Sequence, residues 1–398
     1  MMDNRLPEVI PYRSFRDGTT DLRGNGLMVG YELVGPSPET HSEAQIFAQA
    51  EQFASALRHL GTGDALHMVT HRVPAQAPEP ATFASLAARL VDDERRAAFA
   101  AEGHWLTLSR LYLSHRFEKP AKSMFQSILL SASGPQRMER HELLRNHALA
   151  RFTAFEDAAA SGLRLRKLTD AEMFADLIFT VLGHEHQVLL PDASVRLNEV
   201  IGAEHFVGGQ APQIAGWHLR PVCITAYPSS TAPQMLAVLL KRPGRMTISA
   251  RFRCYDGYDQ QAMLKTERQH WHKEILGGLW KVFKQWIGHN ATKDADSAAQ
   301  LANIDAAIAA CSAGLTFGHA TVTALVRDRD PERADMRAHD LVKDCHSHGM
   351  QARVETINAV EAIMGCWPGD TEHNIRRPII TGNNFADLTI PVTRWLGL

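Results

Sequence analysis

The chain of 398 residues repeats one order of elements in its two halves, and this repetition restricts the fold more than any other feature. Apolar residues alternating with a period of two predict strands at 19–33, 65–73, 104–114, 220–227, 246–255, 316–326 and 351–356. Apolar residues at helical spacing predict helices at 42–60, 83–101, 232–240 and 331–348. Such strand–helix–strand units predict an α+β fold of ferredoxin-like units, with helices packed on a mainly antiparallel sheet.

Local signals mark the ends of several elements. Asn25 and Gly26 lie between two extended runs, which is typical of a tight β-hairpin turn. Thr169 and Glu172 form the T-x-x-E pattern of a capping box at a helix N-terminus. Two helical stripes predict buried faces, one of Phe47, Ala50, Ala54, Leu57 and Leu60 and one of Leu144, Ala148, Phe152, Phe155 and Ala159.

These elements predict four segments. Residues 1–115 form an N-terminal α+β subdomain, and residues 116–216 form a mostly helical middle segment. Residues 217–365 form a second α+β subdomain, into which a long helical hairpin is inserted at about 260–313. Residues 366–398 have no periodic pattern and are predicted to be a loop.

Composition and charge exclude several classes of protein. The chain has 42 Lys and Arg against 44 Asp and Glu, so it lacks the basic balance of proteins that grip nucleic acid through phosphates. No direct binding of nucleic acid is expected. No apolar run reaches the roughly 18–20 residues that a membrane-spanning helix needs. The five cysteines contain no CxxC pair, so we expect reduced thiols in a cytosolic protein.

Several catalytic motifs are missing from the sequence. The dipeptide Gly-Lys does not occur, which excludes the G-x-x-x-x-G-K-[ST] loop that cradles the phosphates of a nucleotide. The motifs G-x-G-x-x-G, G-x-S-x-G and H-E-x-x-H are absent too. The sequence therefore predicts no catalytic, cofactor-binding or metal-binding residue in this chain.

The histidines offer one alternative. His184 and His186 flank Glu185 at a spacing of two, which allows a shared metal on a strand but not on a helix. The preceding pattern is helical, so a helix end is favoured, and a metal-dependent hydrolase using these three residues remains the less favoured hypothesis. His270 and His272 have the same spacing within a helical pattern, which argues against a shared metal there.

A set of large apolar side chains at near-helical spacing indicates either packing in the hydrophobic core or a surface that contacts another protein. They are Trp271, Leu279, Trp280, Phe283 and Trp286, all within the predicted helical hairpin. Leu279, Phe283 and Trp286 are the candidates for a surface that contacts a partner protein.

An ordered set of short runs resembles a known family. These runs include Ile10-Pro11-Tyr12, Leu57 to Gly63, Val91 to Arg96, Leu168 to Glu172, Arg220-Pro221-Val222, Glu355 to Ala362, Trp367-Pro368-Gly369, Asn374 to Pro378 and Thr381 to Leu388. Together they resemble the N-terminal region of the CagE/TrbE/VirB family of type IV secretion ATPases, and in particular its conjugal-transfer TrbE branch.

The resemblance implies a bacterial protein that is cytoplasmic and peripheral to the inner membrane, where its family supports assembly of the secretion channel and pilus and transfer of substrate. Family members assemble as hexamers and carry a C-terminal motor with Walker A and B motifs. ATP and Mg²⁺ are therefore expected only with that motor, to which residues 366–398 would lead. The implied partners are inner-membrane secretion subunits, the motor domain and further copies of the full-length protein.

Two interpretations follow from this resemblance. In the first, the chain is a docking and assembly domain that performs no catalysis alone. In the second, it is one half of a split ATPase that acts with a separately encoded motor domain.

Overall fold

The computed structural model describes most of the chain. The described residues are 5–34, 41–75, 81–102, 105–117, 134–184, 189–192, 195–228, 231–269, 304–312, 314–373 and 375–389.

The described strands belong to one sheet. They are β1 (Tyr12–Arg16), β2 (Thr19–Leu22), β3 (Gly26–Val34), β4 (Asp64–Pro74), β5 (Trp105–Arg116), β6 (Arg164–Lys167), β7 (Phe206–Val207), β8 (Gln213–Ile214), β9 (Trp217–Ala226), β10 (Arg245–Arg253), β11 (Phe317–Asp328), β12 (Gln351–Val354) and β13 (Ile379–Thr381). Their order is β1-β2-β3-β5-β4-β10-β11-β9-β8-β7, with β6 beside β3, β12 beside β9 and β13 beside β11. All of these pairs are antiparallel.

Helices cover both faces of this sheet. They are α1 (Leu6–Val9), α2 (Glu43–Ala56), α3 (Leu86–Glu102), α4 (Gly134–Ala159), α5 (Asp170–Leu182), α6 (Leu197–Ile201), α7 (257–269), α8 (304–312), α9 (Pro331–Ser347), α10 (Ala359–Met364) and α11 (Gly382–Thr389). Two short 3-10 helices, Leu57–His59 and Met235–Lys241, accompany them.

The sheet consists of two ferredoxin-like units. Strands β6-β3-β5-β4 form the first unit and β12-β9-β11-β10 form the second, so both units have the same order of strands. The units join edge to edge, because Ala65–Arg72 of β4 pairs with Met246–Arg253 of β10. The predicted α+β fold is confirmed, and the repetition seen in the sequence corresponds to these two units.

The turn and the capping box that the sequence predicts are both present in the structure. Gly24 and Asn25 have positive φ angles of 81° and 70° in the turn between β2 and β3. The Thr169 side chain accepts a hydrogen bond from the backbone N–H of Glu172, which completes the capping box of α5. Ser42 and Gln45 form a second capping box at the start of α2, which the sequence analysis missed.

One face of the sheet is mainly apolar. Alternate residues of β3, β4, β5, β10 and β11 pack there against α2, α4, α9, α11 and the 3-10 helix Met235–Lys241. The largest buried side chains of this cluster include Phe53, Phe152, Phe155, Phe252 and Phe385. Burial of these apolar side chains is the main stabilising contribution on this face.

The opposite face carries α1, α5, α6 and α10 and combines apolar with polar burial. Met173, Phe174 and Leu177 of α5 pack against the sheet there. Gly30 of β3 allows this close approach, because a Cβ atom at that position would lie 2.7 Å from the Cε atom of Met173. Polar residues that are buried between α5 and the strands lie on this same face.

Several predictions need correction. The loop predicted from Cys366 onward is wrong for 379–389, where β13 pairs with β11 and α11 buries Phe385. Phe47 is 49% exposed and Leu144 is 46% exposed, so neither belongs to the core face of its helix. The predicted helical hairpin begins with α7 and ends with α8, and residues 270–303 between them lie outside the described residues.

Candidate interaction surface

The two ferredoxin-like units carry helical insertions at equivalent points. In the first unit α3 connects β4 to β5, and the ladder between these strands extends to the pair Pro74 and Trp105. In the second unit α7 and α8 lie between β10 and β11. A ferredoxin-like unit usually connects these two strands directly, so both insertions are additions to the basic fold.

Helix α3 exposes three large apolar side chains to solvent. Leu86, Leu90 and Val91 are 65%, 60% and 64% exposed, and Leu86 and Leu90 lie one turn apart on the same side of the helix. Among the described side chains of α3, the less exposed ones are Ala88, Asp92 and Arg96, each one turn apart. The amphipathic pattern is therefore opposite to that of a helix whose apolar side covers the core of its own chain.

This arrangement is typical of a helix that contacts another protein. A single exposed leucine needs no explanation, but here three large apolar side chains are exposed within six consecutive residues, which makes this part of the helix a candidate contact surface. We call Leu86, Leu90 and Val91 the α3 surface. The sequence predicts this helix at 83–101 but does not show which of its sides faces solvent.

A polar cleft of about 690 Å³ lies where the two units meet. Thr62 and Asp64 line it from the first unit, and Arg253 and Asp259 line it from the second. The Thr62 hydroxyl donates to Asp259 Oδ2 at 2.5 Å, which links the two units. The cleft is thus bordered by side chains that hold the units together.

Asp64 is buried at the wall of this cleft and has three partners. Its carboxylate lies 2.7 Å from His115 Nδ1 and 2.9 Å from Arg151 Nη2, and Oδ2 accepts a hydrogen bond from the Gly61 backbone N–H at 2.9 Å. These contacts tie β4 to β5 and α4. The arrangement satisfies a buried charge and indicates a structural role for the network.

A second polar cluster lies between α5 and the sheet. His71 is fully buried, with Nδ1 3.1 Å from Thr247 Oγ1 and Nε2 3.2 Å from Thr180 Oγ1. Asp176 accepts a hydrogen bond from the Tyr112 hydroxyl and lies near Arg110. Burial favours the protonated carboxyl, but His71, the charge of Arg110 and the Tyr112 hydroxyl outweigh it and hold the pKa of Asp176 below its ordinary value.

A third cluster surrounds Arg251 on the same face. Arg251 is 1% exposed and donates to the backbone carbonyl oxygens of Asp370 and His373. Burial lowers the pKa of this guanidinium to about 10. His67 is fully buried, and neither of its ring nitrogens has a hydrogen-bond partner among the described residues. Burial, together with the charge of Arg251, lowers the pKa of His67 well below its ordinary value.

Of the histidines that the sequence singled out, the structure describes His184. His184 follows the end of α5, whereas Glu185 and His186 lie outside the described residues, as do His270 and His272. Within the described ranges, no three His, Cys, Asp or Glu side chains are grouped so that they could hold a metal ion. The residues proposed for partner contact, Leu279, Phe283 and Trp286, also lie outside the described residues, as do Trp271 and Trp280.

Comparison with known proteins supports the family resemblance. Residues 19–123 match the profile of the N-terminal domain of the type IV secretion system ATPases VirB4 and TrbE. The chain is 27% identical over 414 aligned residues to the conjugal transfer protein TrbE of Rhizobium radiobacter, and this match covers 98% of the chain. The predicted family resemblance is confirmed. The matched region 19–123 contains all of α3.

Two further relatives come from Sinorhizobium fredii (strain NBRC 101917 / NGR234), where a probable conjugal transfer protein TrbE is described in two pieces. The second piece is 28% identical over 251 residues, covering 63% of this chain and 37% of that protein. The first piece is 29% identical over 132 residues, covering 32% of this chain and 89% of that protein. The chain spans 50% of the length of the Rhizobium radiobacter relative. Among the described helices, none is long and apolar enough to cross a membrane.

Proposed function

We propose that this chain is the docking and assembly region of a type IV secretion ATPase of the conjugal transfer class. In this role it supports assembly of the channel and pilus, and transfer of substrate, at the cytoplasmic face of the inner membrane. The observation that carries the proposal is the α3 surface, where Leu86, Leu90 and Val91 face solvent within the family-matched region.

The chemistry of the α3 surface favours a protein partner. Complete burial of a leucine or valine side chain contributes about 1.5–3 kcal/mol, so three such residues provide a substantial share of the free energy of binding. Charged residues, including Asp92 and Arg95, flank the apolar side chains along the helix, as at the rim of a protein–protein interface. The partners proposed for this surface are inner-membrane secretion subunits, which would hold the chain peripherally at the membrane.

The motor of the ATPase is the second proposed partner. ATP and Mg²⁺ belong to that motor in the proposal, and self-association into a hexamer belongs to the full-length protein. Purified chain alone is therefore expected to show no saturable hydrolysis of ATP, measured as phosphate release. Saturable hydrolysis would contradict this division of roles.

A split ATPase remains a second candidate, favoured by one observation. The Sinorhizobium fredii relatives are two separate pieces of TrbE, so relatives of this chain occur in divided form, although that division falls within the region that this chain spans, since the pieces match 32% and 63% of it. In this candidate the chain acts with a motor encoded separately. Co-purification of the chain with a separate protein that contains a Walker A motif would support it.

The decisive experiment compares two pairs of exposed leucines. Leu86→Ser with Leu90→Ser removes the α3 surface, whereas Leu143→Ser with Leu144→Ser is the matched control on α4, where these leucines are 65% and 46% exposed. Each variant is mixed with inner-membrane vesicles from the source bacterium, cross-linked and analysed by mass spectrometry. We expect at least about tenfold weaker recovery of inner-membrane secretion subunits for the α3 variant only. Equal recovery by both variants would contradict the proposal.

A further inference from the structure

A second cavity, of about 440 Å³, opens beside the turn between β2 and β3. Strand β1 contributes Arg13, the turn contributes Arg23 and Asn25, and α6 begins directly after Arg196. His141 of α4 closes another side. The cavity is therefore assembled from four separate elements of the first unit and its neighbouring helices, and it is distinct from the α3 surface.

The lining of this cavity has an excess of positive charge. Its acidic residue is Asp21, whose carboxylate is already paired with the nearly buried guanidinium of Arg145 at 2.9 Å. Arg23 is held by the backbone carbonyl oxygens of Pro7 and Glu8, at 2.8 and 2.6 Å. These contacts fix the position of the Arg23 guanidinium without neutralising its charge.

The other two guanidiniums are also uncompensated. Arg13 is exposed and has no carboxylate within ion-pair distance among the described residues. Arg196 approaches Glu199 only at 3.9 Å, and both side chains are more than 60% exposed, so solvent screens this contact. Among the described lining residues, three arginine charges thus surround a concave site whose one carboxylate is already paired.

The turn adds hydrogen-bond donors to these charges. His141 Nε2 lies 3.1 Å from Asn25 Oδ1, which is an acceptor, so the ring nitrogen donates and the Asn25 amide is oriented by this bond. The Nδ2 hydrogens of Asn25 are then available to a ligand. Positive φ angles at Gly24 and Asn25 hold the turn in the tight conformation that places this side chain at the cavity.

We propose that this cavity binds a phosphate group, carried either by a small soluble phosphate or by a phospholipid headgroup. Guanidinium groups bind phosphate oxygens through paired, charge-assisted hydrogen bonds, and a doubly charged anion matches the excess charge of the site. Asn25 supplies a neutral donor that adds orientation. This proposal does not depend on the docking role of the chain.

The first test measures binding of pyrophosphate by isothermal titration calorimetry at constant ionic strength in chloride. The pocket variant is Arg13→Gln with Arg196→Gln, in which both changes replace exposed side chains. The control is Arg58→Gln with Arg164→Gln, which removes two exposed arginines elsewhere. We expect at least tenfold weaker binding for the pocket variant and unchanged binding for the control. Unchanged binding by the pocket variant would overturn the proposal, provided that its thermal unfolding matches that of the parent chain.

The second test distinguishes the two sources of the phosphate. The full chain is floated with vesicles of phosphatidylcholine that contain phosphatidic acid, and with vesicles of phosphatidylcholine alone. Flotation that requires phosphatidic acid and is lost in the pocket variant assigns the site to a lipid headgroup. Pyrophosphate binding without flotation assigns it to a soluble phosphate. Failure of both probes to bind at millimolar concentration would overturn the proposal.

Discussion

The two faces of the central sheet differ although the same strands build both. On β10, Met246, Ile248, Ala250 and Phe252 belong to the apolar cluster under α2 and α9. The intervening residues are Thr247, Ser249 and Arg251, which are equally buried on the face that carries α5. One face is therefore stabilised mainly by burial of apolar area, whereas the other combines apolar burial with buried polar groups, several of which form hydrogen bonds.

Burial alone therefore does not define the structural role of a residue. An apolar core tolerates changes that keep its volume, whereas a buried polar cluster tolerates few changes because each unpaired group costs free energy. The polar face also makes the fold sensitive to pH, since its charged groups titrate. The following predictions test that contrast.

The largest effect is expected on the apolar face. Phe252→Ala removes a fully buried ring that packs against Phe385, with ring centroids 4.9 Å apart. The change should lower the free energy of unfolding by about 3–5 kcal/mol, measured by urea denaturation. Phe47→Ala, on the 49% exposed side of α2, is the control and should cost far less. Equal losses would contradict the assignment of the core.

A smaller effect is expected when the charge beside Arg251 is removed. Asp370→Asn should cost about 3 kcal/mol at pH 7, because Arg251 then remains buried without its nearest carboxylate. Burial opposes ionisation of Asp370, but His373 and Arg251 outweigh it and hold the pKa of Asp370 below its ordinary value. Its stabilising effect is therefore present above the unfolded pKa near 4 and is lost as the pH falls through the lower folded pKa.

Urea denaturation at pH 7 and at pH 3 checks this prediction. The difference between Asp370→Asn and the parent chain should shrink at the lower pH. The control is Asp17→Asn, at a side chain that is 85% exposed, and it should change stability little at either pH. A difference that is constant with pH would show that the carboxylate charge is not what stabilises the cluster.

His67 gives a third effect, which also depends on pH but comes from a basic side chain rather than from a carboxyl group. Because the folded pKa of His67 is lowered, the unfolded chain binds a proton below about pH 6.5 while the folded chain does not. Stability should therefore fall as the pH drops below about 6.5, by at most about 1.4 kcal/mol per pH unit from this residue. His67→Leu should reduce the slope of stability against pH. His59→Leu, at an exposed position, should have a larger slope than His67→Leu. Thermal unfolding at several pH values measures these slopes. Identical slopes for the two variants would refute this role of His67.

The smallest effect on stability is expected at the α3 surface. Leu86→Ser with Leu90→Ser should change the free energy of unfolding by less than about 0.5 kcal/mol for each substitution, because neither side chain is buried. Leu57→Ser, at a fully buried leucine, should be strongly destabilising in the same assay. A large loss from the α3 variant would mean that this helix packs on its own chain.

Much of the fold could be predicted from local sequence. The alternation in β10 and β11, the turn at Asn25 and the capping box at Thr169 depend on neighbouring residues, so the sequence contains the whole signal. Strand β6 and strand β13 were missed because they are short and are defined by pairing with distant strands. Helix α11 follows β13 and was missed with it.

The candidate sites were harder to predict, for a physical reason. Periodicity marks residues that are apolar, but it does not show which side of a helix meets the protein, so the outward side of α3 was visible only in the structure. The arginines of the phosphate cavity lie far apart in sequence, at 13, 23 and 196, and no local pattern joins them. Burial of the polar face could not be predicted either, because polar residues such as Thr247 and Arg251 usually face solvent in a strand that is buried on one side.

The antiparallel pairing of β4 with β10 determines where the two helical insertions can reach. Helix α3 follows the end of β4 near Arg72, whereas α7 follows the end of β10 near Arg253, and these ends lie at opposite limits of the ladder. About 25 Å of hydrogen-bonded backbone separates them. The paired strands therefore act as a spacer that sets the starting points of the two insertions apart.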